Sequence, residues 1–423
     1  MLRFYIKGLL RDRSRSLNPI LVVAAGVMLV VVMHCWITGV LSDIIVFNAR
    51  FSTGHVKVMT RAYSENISQE PNDLALLGTD RLVEELRRNY PDMEWVERIK
   101  FGGLVDVPDA SGETKTQGPG GGMAIDLLSP ESKEKERLRL LSSVVRGRLP
   151  EVPGEILISE EFSQKLEINP GDPLTLIAST MYGAMSFTNF TVSGTVKFGA
   201  TALDRGGMVA DIGDIRTALD MQDASGEVLG YFLNQEYDDL KANRISATFN
   251  EYNVDAQDEY APVMRTLREQ SNMAMYLDMV DYFQSIIVAV FIIAMAIVLW
   301  NSGLLGGLRR YGELGLRMAI GEEKGHIYRS LITESLLIGL TGSFLGTAIG
   351  LFLSFLLSKG IDISSMMGNS TMMMQSVMKA HISSDAFYIG FIPGVLATST
   401  GTALAGIGIY KRKSAQLFKE LQA

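Results

Sequence analysis

The segment Arg309–Gly350, RRYGELGLRMAIGEEKGHIYRSLITESLLIGLTGSFLGTAIG, joins a charged stretch to a long apolar stretch without a break. In the apolar part, Gly342, Gly346 and Gly350 are spaced four residues apart. This spacing leaves a groove on one face of a helix, where another transmembrane helix can approach closely. In the charged part, Glu313–Lys324, charges alternate with apolar residues, as in a short helix on a membrane surface. The segment therefore predicts a surface helix that leads into a packed transmembrane span.

Four long segments of the chain carry no charged residue. Each exceeds the roughly 20 residues with which a helix crosses about 30 Å of hydrocarbon. We therefore expect a membrane protein with an α-helical four-span bundle and a large mixed α+β extracytoplasmic domain between the first and second spans. The uncharged segments are Ser16–Ser42, Tyr282–Leu308, Ser335–Ser358 and Ala386–Tyr410.

Charges outside the spans predict the orientation. Basic residues concentrate in 1–15, 309–329 and 411–423, and the positive-inside rule assigns such segments to the cytoplasm. The insertion between residues 42 and 281 instead holds 23 Lys and Arg against 39 Asp and Glu. We therefore expect cytoplasmic termini and an exported, acidic insertion.

The N-terminal segment has two alternative interpretations, a cleaved signal peptide and a lipoprotein acylated at Cys35. Apolar character continues through Trp36, Ile37 and Val40 with no small-x-small cleavage site nearby. His34 stands directly before Cys35, where acylation requires a small residue. We therefore expect an uncleaved span and an inert thiol. Cys35 is the only cysteine, so an intramolecular disulfide is impossible.

The insertion has alternating and helical patterns separated by turn residues, which predict a mixed fold. The expected order is a strand at 55–60, a helix at 74–90, strands within 94–107, an exposed loop at 109–122, a strand at 155–158, a helix at 160–166, and a turn at 169–172 before a further strand. Pro262–Gln284 has helical periodicity and is expected to be a stalk leading into the second span. A simple linker is the alternative, although such linkers are usually richer in Gly and Ser.

Sequence signatures of catalysis are missing from the chain. It has no G-x-x-x-x-G-K-[ST], H-E-x-x-H or G-x-S-x-G motif. Gly118–Gly122 lacks the Lys and hydroxyl of a phosphate-binding loop, and the four histidines are scattered. We therefore expect no catalysis by this polypeptide alone, and neither a cofactor nor a metal bound to it.

Arg309–Gly350 resembles the signature of FtsX-type ABC permeases, R-x-x-E-[IL]-G-[IL]-x-R-A-x-G followed by a Gly-rich span. The matching residues are Arg310, Glu313, Gly315, Arg317, Ala319 and Gly321. Residues 146–177 resemble a passage of MacB-like and LolC/LolE-like periplasmic domains, and that resemblance implies a strand at 190–197 and a helix at 214–221. Ala124–Pro130 departs from the family pattern, which usually has a G-[IV]-x-P turn there.

The resemblance implies the permease of a type VII, or mechanotransmission, ABC assembly in a bacterial inner membrane. In such an assembly two permeases, identical or different, pair with two copies of a separate ATPase that binds ATP and Mg²⁺. The LolC/LolE-like branch, which releases lipoproteins from the inner membrane, is favoured because the chain has a large exported domain and no fused ATPase. The alternatives are MacB-like efflux with a periplasmic adaptor and an FtsX-like scaffold that activates a cell-wall hydrolase. No nucleic acid is expected as a partner.

Three sets of residues are candidate functional sites. A segment for docking to the ATPase is implied by the resemblance, with an intrahelical Glu313–Arg317 pair as the plainer interpretation. The glycine groove is expected to face a second permease copy, with a contact inside one chain as the alternative. Apolar residues beyond the first and second spans are expected to contact amphiphilic cargo, or else only a partner stalk. The sets are Arg310, Glu313, Leu314, Leu316, Arg317, Met318, Ile320 and Gly321 for the ATPase; Gly342, Gly346 and Gly350 for helix packing; and Val46, Phe47, Met275 and Met279 for cargo.

Asp362–Lys379 holds six of the chain's 22 methionines. Thioethers bind Cu(I), and methionine also forms adaptable apolar surfaces, so a copper site, a contact for acyl chains and plain filler all stay open. Glu334 is expected to anchor the third span at the interface. The predicted division is a cytoplasmic segment (1–16), first span (17–42), periplasmic domain with stalk ends (43–281), second span (282–308), coupling helix (309–329), third span (330–358), Met-rich periplasmic loop (359–385), fourth span (386–410) and cytoplasmic tail (411–423).

Overall fold

The computed structural model describes residues 13–109, 111–253, 258–270, 273–309, 316–318, 320–362 and 377–411. The chain divides into two compact units. The membrane unit comprises Met1–Ser42, Leu277–Ile361 and Val377–Ala423, and the insertion domain comprises Asp43–Tyr276 with Asp362–Ser376.

Helices dominate the membrane unit, and strands with short helices form the insertion domain. The α-helices are α1 (Arg13–Asn48), α2 (Arg61–Glu65), α3 (Thr79–Asn89), α4 (Glu134–Arg137), α5 (Leu140–Ser143), α6 (Glu160–Leu166), α7 (Thr201–Asp204), α8 (Ile212–Ala218), α9 (Asp239–Tyr252), α10 (Met273–Arg309), α11 (Lys324–Ser358) and α12 (Phe391–Lys411). A π-helical turn, Ala49–Thr53, continues α1, and 3₁₀ turns occur at Ile67–Gln69, Asn72–Leu74, Leu267–Glu269 and Ser384–Phe387. The strands are β1 (Val56–Thr60), β2 (Leu76–Leu77), β3 (Met93–Pro108), β4 (Thr114–Ile125), β5 (Val144–Gly147), β6 (Glu155–Ser159), β7 (Pro173–Ser179), β8 (Met185–Val196), β9 (Gly207–Asp211), β10 (Ala224–Ser225), β11 (Glu227–Phe232), β12 (Pro262–Thr266), β13 (Ile361–Asp362) and β14 (Val377–Met378).

Among the residues described, three helical segments are long and apolar enough to cross a membrane: Leu17–Thr53, Lys324–Ser358 and Ser384–Ala405. They overlap the first, third and fourth predicted spans. The second predicted span falls in α10, where the apolar segment found is the shorter Ser285–Asn301. The chain is therefore a membrane protein, and the fourth crossing stays a prediction.

The insertion domain is built on a mixed sheet in the order β12-β1-β11-β3-β4-β9-β6-β8-β5, with β7 pairing to both β3 and β8. The β4–β9 and β6–β8 pairs are parallel. Three apolar clusters fill the domain, one of which includes Phe51 from the π-helical turn packed with Ile125, Leu157 and Phe198. The predicted mixed α+β domain is confirmed, and its core takes in the end of the first span helix.

Several local predictions match the structure closely. Ser159 accepts a hydrogen bond from the backbone N–H of Phe162 and so caps α6, which occupies the predicted residues 160–166. The strands at 55–60, 94–107 and 155–158 are confirmed as β1, β3 and β6. The helix at 74–90 begins later than predicted, at Thr79, after a 3₁₀ turn and β2.

The loop expected at 109–122 is wrong over most of its length, because Thr114–Ile125 forms β4. Its glycines lie where neighbouring backbones come close. A side-chain carbon on Gly122 would lie 2.4 Å from the carbonyl oxygen of Met208. One on Gly103 of β3, which is paired with Gly120 of β4, would lie 2.3 Å from that of Ile177. Glycine therefore permits close strand approach here and does not mark a turn.

The helical stalk expected over Pro262–Gln284 is also wrong at its beginning. Residues Pro262–Thr266 form β12, which pairs with β1 along its whole length. Thr266 and Glu269 then form a capping box over a 3₁₀ turn, and α10 begins only at Met273. Pairing with a distant strand overrides the helical periodicity at this position.

Candidate functional site

The predicted ATPase-coupling segment is described only in part. Arg310, Glu313 and Leu314 lie outside the described residues. Residues 316–318 are helical, with Arg317 and Met318 half-buried. Leu316 and Ile320 are four residues apart, and they are 62% and 78% exposed. Residues at this spacing share one helix face, so the segment presents a small exposed apolar surface.

Gly321 ends this helical segment in a defined way. Its φ of +100° lies in the left-handed region. The N–H of Gly321 donates to the carbonyl of Met318 at 3.1 Å, and the N–H of Glu322 donates to that of Arg317 at 3.0 Å. These two bonds form a Schellman motif, in which a left-handed residue terminates a helix. Since the next helix, α11, begins at Lys324, Gly321 separates the coupling segment from the third span.

The three predicted packing glycines of α11 lie against α1 of the same chain. Side-chain carbons built on them would lie 2.7–2.8 Å from the Cβ atoms of α1 valines. The pairs are Gly342 with Val23, Gly346 with Val27 and Gly350 with Val31. The groove is thus filled within one chain, which corrects the expectation that it faces a second copy.

The α1–α11 contact also fixes the relative direction of these two helices. Each step of four residues along α1 is matched by a step of four along α11. One step further on, Cys35 of α1 and Ser354 of α11 are both fully buried. Because the residue numbers rise together, α1 and α11 run parallel.

Glycines also mediate the other helix contacts of the membrane unit. Gly394 of α12 faces Ser343, Gly339 faces Thr398, and Gly26 faces Met295 of α10. Small residues of this kind let helix backbones approach closely in lipid. On the segment before α12, Ser383 Oγ lies 2.9 Å from Nε2 of His34 on α1.

The predicted cargo residues do not form one surface. Phe47 packs on Phe51, with ring centroids 4.6 Å apart, against the core of the insertion domain, and Val46 is half-buried. Met275 is 67% exposed near the start of α10. The side chain of Met279 lies outside what the structure describes, as does most of the Met-rich segment. Of the predicted cargo residues whose side chains the structure describes, Met275 is therefore the one that is freely accessible.

Two side chains of the insertion domain hold the carbonyl end of the first span helix. Nη1 of Arg98 donates to the carbonyl oxygens of Arg50 and Phe51 at 2.6 and 3.2 Å. The Tyr231 hydroxyl donates to the carbonyl oxygens of Ala49 and Arg50 at 3.0 and 3.3 Å. The last carbonyls of a helix lack intrahelical partners, and side chains of β3 and β11 supply partners for those of Arg50 and Phe51. The Ala49 carbonyl also accepts a hydrogen bond from the N–H of Gly54 at 2.9 Å.

A third side chain, Gln270, belongs to the segment that leads into α10. Its Nε2 lies 3.3 Å from the carbonyl oxygen of Thr53 and 3.0 Å from that of Thr266. One amide thus connects the end of the helical turn after α1 with the strand that precedes α10. We call Arg98, Tyr231 and Gln270 the helix-end clamp.

Buried charged residues contact two of the clamp residues, Arg98 and Tyr231. Arg98 is fully buried, and its Nε donates to Glu134 at 2.8 Å. Arg137 is also paired with Glu134, bonds Glu94 at 2.9 Å, and lies over the Tyr231 ring at 4.2 Å. Breaking a buried pair on one side leaves an uncompensated charge, so this network resists rearrangement.

The pKa values of the network agree with this geometry. Burial disfavours both charges of the Arg98–Glu134 pair, but their mutual attraction outweighs it, raising the pKa of Arg98. The attraction of Arg98 and then Arg137 likewise outweighs burial and lowers the pKa of Glu134. Beside the clamp, burial and then the charge of Arg137 lower the pKa of His55 to about 4, and its Nδ1 accepts the Phe232 N–H at 3.0 Å. The pair is therefore ionised and His55 neutral at neutral pH.

Sequence reasoning missed the clamp residues. Arg98 lies in a strand where a solvated face is the ordinary expectation for Arg, and its partner Glu134 is 36 residues away. The Gln270 amide follows the Thr266–Glu269 capping box. The Thr-x-x-Glu spacing of that box was a signal in the sequence that a helical turn begins after Thr266 and not at Pro262.

Comparison with known proteins identifies the class of the chain. Residues 19–248, more than half of the chain, match the MacB-like periplasmic core domain, and residues 285–413 match the FtsX-like permease C-terminal family. The chain belongs to the FtsX/MacB family of ABC-transporter permeases. Among solved structures, it is similar to the periplasmic region of MacB from Actinobacillus actinomycetemcomitans, with 8% identity over 53% of this chain and 94% of that chain, and a TM-score of 0.36. No curated protein sequence matches it.

Membership of the FtsX/MacB family confirms the permease class predicted from Arg309–Gly350. Family membership and the apolar helices both indicate a multi-pass inner-membrane protein with a large periplasmic domain. Permeases of this family are components of ABC transporters, pair with an ATPase and dimerise. The helix-end clamp therefore lies where the first membrane helix of an FtsX/MacB permease enters its periplasmic domain.

Proposed function

We propose that this permease passes motion driven by a separate ATPase to its periplasmic domain and thereby releases lipoproteins from the inner membrane. The observation that carries the proposal is the helix-end clamp, because Arg98, Tyr231 and Gln270 bind the carbonyl end of the first span helix. Hydrogen bonds to buried backbone groups are costly to leave unmade. A displacement of this helix would therefore pull on β3, β11 and the segment before α10 together.

The proposed assembly has two permeases and two ATPase subunits, with four spans per permease (α1, α10, α11 and α12) and both termini in the cytoplasm. The parallel packing of α1 and α11 supports this topology, because it puts the N-terminal ends of both helices on one side of the membrane. The Lys- and Arg-rich segments before these two helices are expected on the cytoplasmic side. We propose the nine segments given above, with the coupling helix ending at Gly321 and the helix of the third span beginning at Lys324.

The coupling segment is the proposed entry point of the motion. Leu316 and Ile320 would insert into a groove of the ATPase, where burial of two exposed apolar side chains favours association. From there the motion would pass through α11, across the glycine contact to α1, and into the clamp. Each step of this path joins residues that are already in close contact or adjacent along the chain.

Lipoproteins are the proposed cargo because exposed apolar residues occur in the insertion domain beside its two connections to the spans. Met275 and Tyr276 are 67% and 46% exposed, and Ile44 is 38% exposed. Exposed apolar surface of this kind suits an amphiphilic partner. Met275 and Ile44 are therefore the residues at which we propose contact with acyl chains.

The test is to reconstitute the permease with its ATPase in lipid nanodiscs and to measure ATP hydrolysis and lipoprotein release together. Tyr231→Phe combined with Gln270→Met removes the hydroxyl and amide of the clamp with little change in volume. We expect ATP hydrolysis to continue and lipoprotein release to fall at least tenfold, since the helix end is no longer held. Tyr182→Phe, at an exposed tyrosine, is the matched control and should change neither rate.

Two outcomes contradict the proposal. Release at the normal rate by the clamp variant would show that motion does not pass through the helix end. Absence of lipoprotein release by the wild-type assembly, with ATP hydrolysis intact, would favour efflux or a scaffold that activates a cell-wall hydrolase.

A further inference from the structure

The insertion domain contains a cavity of about 480 Å³ over the junction of β4 and β9. Glycines form much of its wall, at positions 120, 121, 122, 206 and 207. A side-chain carbon on Gly121 would have its nearest neighbouring atom 3.7 Å away, so this position leaves space at the cavity, whereas the other four glycines lie close to neighbouring protein atoms. Pockets for small molecules have volumes of about 300–1,000 Å³, so the cavity has the size of a ligand site.

The charges that line this cavity are opposite to those of its domain. Lys100, Lys165 and Arg205 line it, against one carboxylate, Glu70. The segment between residues 42 and 281 has 39 acidic and 23 basic residues, so a surplus of cations at one cavity runs against the local composition. Lys165 and Arg205 form no ion pair with any carboxylate among the residues described. The cavity therefore attracts anions within an otherwise acidic domain.

The remaining walls are apolar. Pro119 and Ala202 are exposed, and Leu203 is half-buried, whereas Phe198, Met208 and Met123 are packed in the domain core behind them. A cavity lined by both cations and accessible apolar side chains suits a molecule that is charged at one end and apolar at the other. A free inorganic anion would leave Pro119, Ala202 and Leu203 uncovered.

We propose that this cavity binds a small anionic amphiphile, a phosphate or carboxylate group attached to a short apolar chain. Lys165 and Arg205 bind the anionic group, and Pro119, Ala202 and Leu203 contact the apolar chain. An adjoining space of about 700 Å³ shares Glu70, Lys100 and Gly121 with the cavity and is lined by Asn72, Ser179 and Thr180. Polar substituents of a lipid headgroup fit there.

The test is isothermal titration calorimetry on the full-length permease in detergent, with hexyl phosphate, inorganic phosphate and hexanol as probes. We expect saturable binding of hexyl phosphate that weakens as salt is added, and weaker binding of the other two. Lys165→Gln with Arg205→Gln should weaken hexyl phosphate binding about tenfold, because two charge contacts are lost. Glu70→Gln should strengthen it, since a like charge is removed. Arg88→Gln, at an exposed position of α3 outside the cavity, is the control and should leave binding unchanged.

A second arm distinguishes the source of the headgroup. Dihexanoyl phosphatidic acid that binds more tightly than hexyl phosphate supports a lipid ligand, whereas the reverse order supports a soluble one. Equal binding of inorganic phosphate and hexyl phosphate would overturn the amphiphile assignment. Undiminished binding by the Lys165 and Arg205 double variant, with unfolding unchanged, would overturn the site.

Discussion

Nη1 of Arg98 lies 2.6 Å from the carbonyl oxygen of Arg50, so a strand side chain completes the hydrogen bonding of the first membrane helix. The guanidinium is fully buried and paired with Glu134. Arginine suits this position because its fixed planar fork serves two backbone oxygens and a carboxylate at once, which the single ammonium group of lysine does not. The carbonyl end of the helix is therefore bound by the guanidinium of Arg98, which is positioned by its strand β3 and by its pairing with Glu134.

Replacing Arg98 by Met is expected to destabilise the insertion domain by about 3 kcal/mol, because Glu134 loses one of its two buried cations. Arg81→Met is the matched control, since Arg81 forms an Arg–Glu pair with side chains 85% and 48% exposed. Its loss should cost less than about 1 kcal/mol. Denaturant unfolding of the full-length chain, followed by circular dichroism, measures both. Equal losses would contradict the special role of the buried pair.

A disulfide is expected to form within one chain between the native Cys35 and a cysteine introduced by Ser354→Cys. Both side chains are fully buried, one four-residue step beyond the contact of Gly350 with Val31. With a protease site inserted at the turn after Asp109, oxidation should keep the two cleaved fragments together on a non-reducing gel. Phe352→Cys, 62% exposed on the same helix, should not form this bond. A product of dimer size from Ser354→Cys would instead indicate that the groove faces a second copy.

Gly321→Ala is expected to weaken binding of the ATPase about fivefold, corresponding to about 1 kcal/mol. An alanine is strained at a φ of +100°, so the Schellman motif that ends the coupling helix is lost. Asn tolerates the left-handed region better, so Gly321→Asn should have a smaller effect. Gly325→Ala provides the control, because this glycine is in α11 with open space around it and an ordinary φ. Co-purification with titrated ATPase measures the effect, and similar losses for both alanine variants would refute this role.

Stability is expected to fall as the pH is lowered from about 6.5 to about 4 because of His55. Its pKa in the folded chain is lowered to about 4 by burial, from 6.5. The unfolded chain therefore binds more protons in this range, and stability present above pH 6.5 is lost, up to about 3 kcal/mol. His55→Gln should remove most of this slope while lowering stability at pH 7, since Phe232 N–H loses its acceptor. An unchanged slope between pH 4.5 and 6.5 would show that other groups cause it.

The three apolar membrane helices that the structure describes were predictable because their signals are local. Long uncharged segments indicate spans wherever they occur, and Ser159 before a short apolar pattern indicates a helix start. The insertion was less predictable where pairing between distant residues decides the structure. Residues 114–125 resemble a turn until β3 and β9 are known to lie on either side.

The candidate sites also differ in whether a local signal in the sequence or the tertiary fold reveals them. The glycine spacing correctly indicated a close helix contact in α11, but nothing in it identifies α1 as the partner. Arg98 and Glu134 come together only through the tertiary fold, so neither residue was distinguishable from an ordinary surface charge. Sequence patterns thus predict which helix face packs closely against another element. Which element that is depends on the tertiary fold.

The pairing of β1 with β12 has a consequence for how such proteins diversify. These are the entry and exit strands of the insertion, and they are hydrogen-bonded neighbours from Val56 with Thr266 to Thr60 with Pro262. A domain whose two ends meet is a self-contained cassette. Residues added or exchanged at its far side leave the distance between the ends unchanged, so the same membrane helices can carry exported parts of different size and specificity.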